Sequence, residues 1–351
     1  MPHFGCDGRA LAKRHSSRDS RSEPWSDRAQ GAATYAALDL GTNNCRLLVA
    51  RGGKRPPDRS FAVIDAFSRI VRLGEGLATS GALCEAAMAR TIDALKICAE
   101  KIAAHRVSGA RYIATEACRR AVNCGDFMQR VRHETGIALE IISAEEEARL
   151  VVRGCAPLLD RRVPYALVFD IGGGSTELAW ISWRDGAREP EIIDSLSLPH
   201  GVVTLSDRYG GRDVSEATYG AMVEEIHTAM SVVESRHGIR RFVGDGAVQM
   251  LGSSGTVTTL AAVHLALPRY NRRRVDGAVL SFDDLQAASR SLARQSHDER
   301  ASNPCIGMER ADLVLAGCAI LEAICLLWPV GKLRVADRGI REGILLGLMR
   351  G

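Results

Sequence analysis

The sequence lacks a strong charge bias: 46 basic residues against 42 acidic ones leave a net charge of +4. Domains that bind nucleic-acid duplexes are usually far more lopsided, so no nucleic-acid partner is expected, while a local basic cleft for a polyanion remains open. It lacks an apolar run long enough to span a bilayer, and no membrane partner is expected. It lacks a Cys-x-x-Cys pair among its ten cysteines, and Cys118/Cys124 and Cys318/Cys325 do not have zinc spacing. Free thiols buried in a reducing cytosol therefore explain the cysteines better than a disulfide framework. The basic stretch Lys13–Asp19 has no hydrophobic region behind it and is not a secretory signal. Finally, the chain has neither a Gly-x-Gly-x-x-Gly motif opening a helix nor the Lys-Ser/Thr pair of a P-loop in its glycine-rich stretch. No Ser-His-Asp or Cys-His arrangement is apparent.

What is present is enough apolar sequence, 46%, to build cores for about two domains. Residues 1–33 are rich in Arg, Ser and Asp without apolar periodicity, and read as a disordered tail. The most informative stretch is Asp170-Ile171-Gly172-Gly173-Gly174-Ser175-Thr176-Glu177. It sits between two apolar strand patterns, Tyr165–Phe169 and Leu178–Trp183, and so reads as a hairpin. Three successive glycines cost backbone entropy. In return they offer close backbone approach and N–H groups that can face an anion. Asp170 and Glu177 flank the turn, so a phosphate-and-metal site is the working reading, against a plain tight turn.

The same layout occurs earlier: Asp39-Leu40-Gly41-Thr42-Asn43-Asn44-Cys45-Arg46, again between strand patterns. Superposing Asp39 on Asp170 puts Gly41 on Gly172 and Thr42 on Gly173, an internal repeat with each copy opening one domain. Domain I is expected over 34–150 and domain II over 151–351. Phe61–Phe67, Ala110–Thr115, Ile137–Ile142, Ile192–Leu196 and Lys332–Ala336 read as strands, and Glu85–Arg106, Ser215–His237, 281–296 and 311–328 as helices. Strands followed by crossover helices give an α/β class. Ser143 and Glu146 fit a capping box at the start of a helix, leaving Glu147 free to face a cleft between the repeats. Gly252-Ser253-Ser254-Gly255-Thr256 reads as a third glycine loop feeding a helix.

In this order, Ala37–Asn43, Ala114–Asn123, Ile142–Leu150, Asp170–Leu178, Gly252–Thr256 and Asp337–Leu345 resemble the motifs of the exopolyphosphatase/guanosine pentaphosphate phosphohydrolase (Ppx/GppA) family. The resemblance covers residues 34–351 and implies an actin-like (RNase H-like) α/β fold of duplicated domains with the active site in the cleft between them. The last helix would pack back toward domain I. It implies release of a terminal phosphate from inorganic polyphosphate, or from guanosine pentaphosphate, in the cytoplasm with Mg²⁺. Glu147 would be the catalytic base, and Asp39, Asp170 and Glu177 the metal-handling carboxylates. Gly41, Thr42, Asn43, Gly172, Gly173, Gly174, Ser175, Thr176, Gly252, Ser253, Gly255 and Thr256 would form phosphate loops, with Arg119 on phosphate and Arg46 assisting. A homodimer is the assembly such members often form. Long members carry a further C-terminal helical region of the His-Asp type that this sequence lacks, and Ser197–Gly201 has no Arg where some members place a basic residue.

The residue types suit that chemistry, since phosphoanhydride cleavage asks for an aligned water and neutralised oxygens rather than covalent catalysis. Two alternatives stay open. One is an ATP-dependent small-molecule kinase of the same fold; the other is a catalytically weak sensor of guanosine tetra- or pentaphosphate. Cys45 and Cys118 adjoin motif residues without a chemical task.

Overall fold

The second sheet repeats the strand order of the first. The computed structural model describes residues 33–52, 61–184, 187 and 189–350; the expected N-terminal tail lies outside the described residues, which fall in one compact unit, Ala33–Gly351. In the first half, β1 (Thr34–Leu40), β2 (Asn44–Gly52) and β3 (Phe61–Ile70) form an antiparallel meander. The short α1 (Leu77–Ser80), α2 (Glu85–Ala104), β4 (Gly109–Ala114), α3 (Glu116–Arg120), α4 (Cys124–Thr135) and β5 (Glu140–Ile141) follow. The sheet order is β3-β2-β1-β4-β5, with β4 and β5 parallel to β1.

α5 (Ala144–Cys155) leads into the second half, where β6 (Tyr165–Ile171), β7 (Thr176–Ser182) and β8 (Glu191–Leu198) form a second meander. Then come α6 (Val202–Tyr209), α7 (Glu216–His237), α8 (Ile239–Gly244), β9 (Val248–Ser254), α9 (Gly255–His264), α10 (Arg272–Val275), β10 (Val279–Ser281), α11 (Phe282–Ala293) and α12 (His297–Ser302). The chain closes with α13 (Val314–Leu327), β11 (Lys332–Ala336) and α14 (Ile340–Leu348). This sheet runs β10-β11-β9-β6-β7-β8, so β8-β7-β6-β9-β11 repeats the first order and β10 is an added antiparallel edge.

Three apolar clusters follow from the patterning. The outer face of the first sheet is covered by α2 and α4, whose Ile92, Leu95, Phe127 and Val131 are buried. The second sheet packs on α13, apolar on nearly every side and buried along its length, as an all-round hydrophobic helix must be. Between the sheets lie α5 and α14, and their Leu150, Val151, Ile344 and Leu345 join Ala37 and Ile113 of one sheet to Val168 and Leu251 of the other. These two helices cross almost backbone to backbone. A Cβ on Gly154 would lie 2.0 Å from the Gly339 carbonyl oxygen, and one on Gly343 would lie 2.1 Å from that of Leu150. The crossing therefore requires glycine on both helices, and it sets the C-terminal half of α5 against the N-terminus of α14. α14 contacts β1, β2 and β4, and the 150/151 boundary falls inside α5.

Several expectations change. Ile137–Ile142 is not a full strand: only Glu140–Ile141 pairs with β4, while Ile137 and Leu139 are buried in irregular chain by packing alone. Gly252–Ser254 is the end of β9 rather than a loop, and α9 starts directly at Gly255. Ser143 caps α5 by accepting from the Glu146 N–H, but the Glu146 carboxylate takes Arg111 (2.9 Å) instead of reaching back, so the capping box is half made.

Candidate active site

The two meanders aim equivalent turns at each other. Asp39 pairs with Arg46 and Leu40 with Cys45 across β1–β2; Asp170 pairs with Glu177 and Ile171 with Thr176 across β6–β7. Each turn is closed the same way, by Gly41 N–H to Asn44 O and by Gly172 N–H to Ser175 O, both 2.9 Å. The turns then touch. A Cβ on Gly173 would sit 2.9 Å from Asn43 Cβ, and one on Gly174 would sit 2.5 Å from Thr42 Oγ1. From the other side the N–H groups of Val202 and Val203, opening α6, donate to the carbonyls of Gly172 and Gly173 at 3.0 and 2.8 Å. The glycine run is thus explained by three backbones converging.

A cavity of about 110 Å³ opens between the turns, and a larger chamber of about 620 Å³ adjoins it, with Asp39, Arg46 and Asp170 lining both. Glu147, in the first turn of α5, enters the smaller cavity and is only 5% exposed. Arg119 from α3 holds it: the guanidinium donates to Glu147 Oε2 at 2.7 Å, to Glu116 at 3.1 Å and to the Ile142 carbonyl at 3.0 Å. Burial raises the Glu147 carboxyl well above its ordinary range, and repulsion from Glu177 adds to this against the pull of Arg119. Asp170 is pushed up to about 7, first by burial and then by Glu147 and Asp39, with Arg46 opposing. Glu177 is also raised to about 7 by burial, although the Ser175 and Ser197 hydroxyls donate to its Oε1 at 2.6 and 3.0 Å. Asp39 is raised by burial against Arg46 and Arg341. Two buried carboxylates, Glu147 and Glu177, beside two partly buried ones, Asp39 and Asp170, favour protons or a cation.

The cation-binding potential can be read from the donors. Asn43 Oδ1 and Asn44 Oδ1 are buried without a hydrogen-bond partner, and both residues line the cavity with Asp39 and Asp170. Carboxylate and amide oxygens of this kind suit a hard divalent cation. Among the described residues no three His, Cys, Asp or Glu side chains are grouped to hold a metal by themselves, so such an ion would complete its shell with water or substrate oxygens.

Of the residues expected at the site, Asp39, Gly41, Thr42, Asn43, Arg46, Glu147, Asp170, Gly172, Gly173, Gly174, Ser175, Gly255 and Thr256 line the smaller cavity. The others are set back from it. Arg119 does not line the cavity; its guanidinium is engaged by Glu147 and Glu116. Glu177 is 3% exposed behind Ser175 and Ser197. Thr176 is fully buried and donates to the His200 carbonyl at 2.6 Å. Gly252 packs against Phe169, where a Cβ would lie 2.6 Å from the ring, and Ser253 donates to the Arg338 carbonyl while lining the larger chamber. Sequence reasoning missed Thr115, Arg310 and Arg341. Thr115 was within reach: it follows β4 as Gly255 follows β9, its counterpart in the repeat. Arg310 lies between α12 and α13 in chain without a recognisable pattern.

Comparison with known proteins agrees with this architecture. The profile of the Ppx/GppA phosphatase family matches residues 54–350. A Mycobacterium tuberculosis protein named exopolyphosphatase 2 is 30% identical over 324 residues, covering 89% of this chain and 98% of the relative. The crystal structure of the Aquifex aeolicus Ppx/GppA family member superposes with a TM-score of 0.74 at 27% identity, covering 91% of this chain and 98% of the other. That of an exopolyphosphatase from Cytophaga hutchinsonii gives 0.78 at 25% identity over the same shares. The fold is thus the actin-like α/β fold of duplicated domains, and no described helix is long and apolar enough to cross a membrane. With the match spanning most of its length, the chain belongs to the Ppx/GppA phosphatase family.

Proposed function

We propose that the protein is a Mg²⁺-dependent exopolyphosphatase, releasing the terminal phosphate of inorganic polyphosphate in the cytoplasm. The observation that carries this reading is the meeting of Glu147, Asp39 and Asp170 on one cavity walled by two phosphate-type turns. In this reading the terminal phosphoryl group lies between the turns, within reach of the Gly41–Asn43 and Gly172–Ser175 main chain, and Arg46 offsets the charge of its oxygens. Glu147, oriented by Arg119, accepts the proton of the attacking water. A base whose carboxyl burial raises above the ordinary Glu range holds a proton more strongly than an ordinary Glu, which suits that task. Asp39 and Asp170 would hold Mg²⁺, which when bound supplies charge neutralisation on the transferred group.

Guanosine pentaphosphate is a second substrate of the same chemistry, and the larger chamber beside Asp39 and Arg46 has room for more than a terminal phosphate. The test is phosphate release from polyphosphate and from guanosine pentaphosphate, measured side by side across a Mg²⁺ titration. Release from polyphosphate that depends on Mg²⁺, with the dependence weakened in Asp170→Asn, is expected. A phosphosugar formed from ATP and a sugar, with neither substrate hydrolysed, would replace this reading with a kinase.

A further inference from the structure

Arg72 grips both sides of the cleft. It follows β3 in the first half, and its backbone is left-handed at φ 48°, a region that residues other than glycine enter only when their surroundings hold them there. The hold is visible in the main chain. Val71 N–H and Arg72 N–H donate to Asn43 O at 2.8 and 3.1 Å, and Gly74 N–H donates to Thr42 O at 2.9 Å. The segment 71–74 therefore supports the first turn from below.

The Arg72 side chain points the other way. Its guanidinium donates to the Asp312 carboxylate at 3.1 Å and to the Glu309 carbonyl at 3.2 Å, both in the second half. The receiving segment is itself fixed. Asp312 O accepts from Ser206 Oγ of α6 at 3.0 Å, and Ala311 O accepts from Arg300 Nε at 3.2 Å. Arg300 is 2% exposed and spends its remaining donors on the carbonyls of Gln295 and Arg212. Arg310, which lines both chambers, stands between the two residues that Arg72 holds. Asp207 of α6 faces Glu75, Arg72 and Asp312, with burial and the two carboxylates acting against its ionisation. Arg72 thus stands between Glu75 on one half, which also takes Arg90 at 2.6 Å, and Asp207 and Asp312 on the other. Remove it, and the repulsion between Glu75 and Asp207 across the mouth loses one of the cations that offset it.

We infer that Arg72 is a positioning residue that sets the width of the cleft, coupling the Thr42–Asn43 turn to the Arg310 segment. The inference rests on the reading of the cleft as the phosphohydrolase site. Both members of the pair are about one-third exposed, so the effect is that of a surface ion pair plus the repulsion it masks. Arg72→Ala is expected to raise KM for polyphosphate of defined length by about two- to fivefold, the range such a pair supplies, with kcat changed less than about twofold. Arg72→Lys should recover part of the loss. The exchanged pair Arg72→Asp with Asp312→Arg should return KM to near wild type. Hydrogen exchange supplies a reading that needs no turnover: the amides of Val71, residue 72 and Gly74 should exchange faster in Arg72→Ala and Asp312→Ala. Unchanged exchange at these amides overturns the inference even if the protein hydrolyses neither substrate. So does a proportional fall in kcat and Tm that the exchanged pair does not rescue, which marks a structural role only. If wild type is inactive on both substrates while exchange responds as expected, the coupling stands and the proposed function falls.

Discussion

The turn after β1 and the turn after β6 have the same register, the same closing hydrogen bond and the same leading aspartate, yet they are built from opposite materials. The first keeps the side chains of Thr42 and Asn43 and places Arg46 opposite Asp39. The second gives up side chains at 172–174 and places Glu177 opposite Asp170. Geometry explains the first contrast. The turns press together so closely that only one of them can carry side chains, and a Cβ on Gly173 or Gly174 would enter space that Asn43 and Thr42 already fill. Electrostatics explains the consequence of the second. The first pair balances its charge, whereas Asp170 and Glu177, both raised to about 7, stand beside Glu147. Duplication supplied two equal turns, and their meeting at one site made them unequal.

The comparison can be broken in three ways. The largest effect is expected at the residue both turns face. Glu147→Gln should leave the fold and polyphosphate binding nearly intact while lowering kcat by roughly 10²–10⁴-fold, the usual contribution of a general base; a turnover close to wild type would remove Glu147 from that role. Next is the steric asymmetry. Gly174→Ala should destabilise by about 1–3 kcal/mol, the usual cost of overpacking, read as a drop in Tm. Combining it with Thr42→Ala, which removes the hydroxyl it meets, should restore part of the loss. An equal drop in both variants would mean the turns do not compete for space.

The smallest effect concerns pH. A carboxyl raised in the folded state binds its proton more tightly there, so the stability it contributes is complete below its unfolded value near 4 and is lost as pH rises through about 7. The metal-free protein should therefore lose a few degrees of Tm, on the order of 2–4 °C per kcal/mol, between about pH 4.5 and 7.5. Asp170→Asn should flatten that decline, whereas Arg46→Ala, which removes a favourable neighbour from Asp39 and Asp170, should steepen it. Parallel wild-type and Asp170→Asn profiles would contradict the raised carboxyl.

The repeat was legible because Asp-apolar-Gly is a local pattern, and strand pairing preserved it residue for residue from Asp39 to Arg46 and from Asp170 to Glu177. Glu147 was legible for a similar reason: a cap at Ser143 fixes which residue opens the helix. What could not be read depends on neighbours distant in sequence. Nothing near Glu177 says that Ser197 will cover it, and nothing near Arg119 says that Glu147 will occupy it. Ile137–Leu139 has the composition of a strand, but the core it enters accepts its side chains without asking its backbone to pair. Arg310 and Arg341 reach the cleft only because the second half folds around to supply them.

The glycine-to-glycine crossing of α5 and α14 has a consequence for folding. The hidden face of the first sheet, including Ala37 and Ile113, shares its cluster with Ile344 and Leu345, more than two hundred residues later in the chain. Until that stretch is in place, the early strands lack the helix that covers this face, and α5 has only the second sheet to pack on. Contacts of such separation are slow to form, so this face of the first sheet should be among the last parts of the core to close.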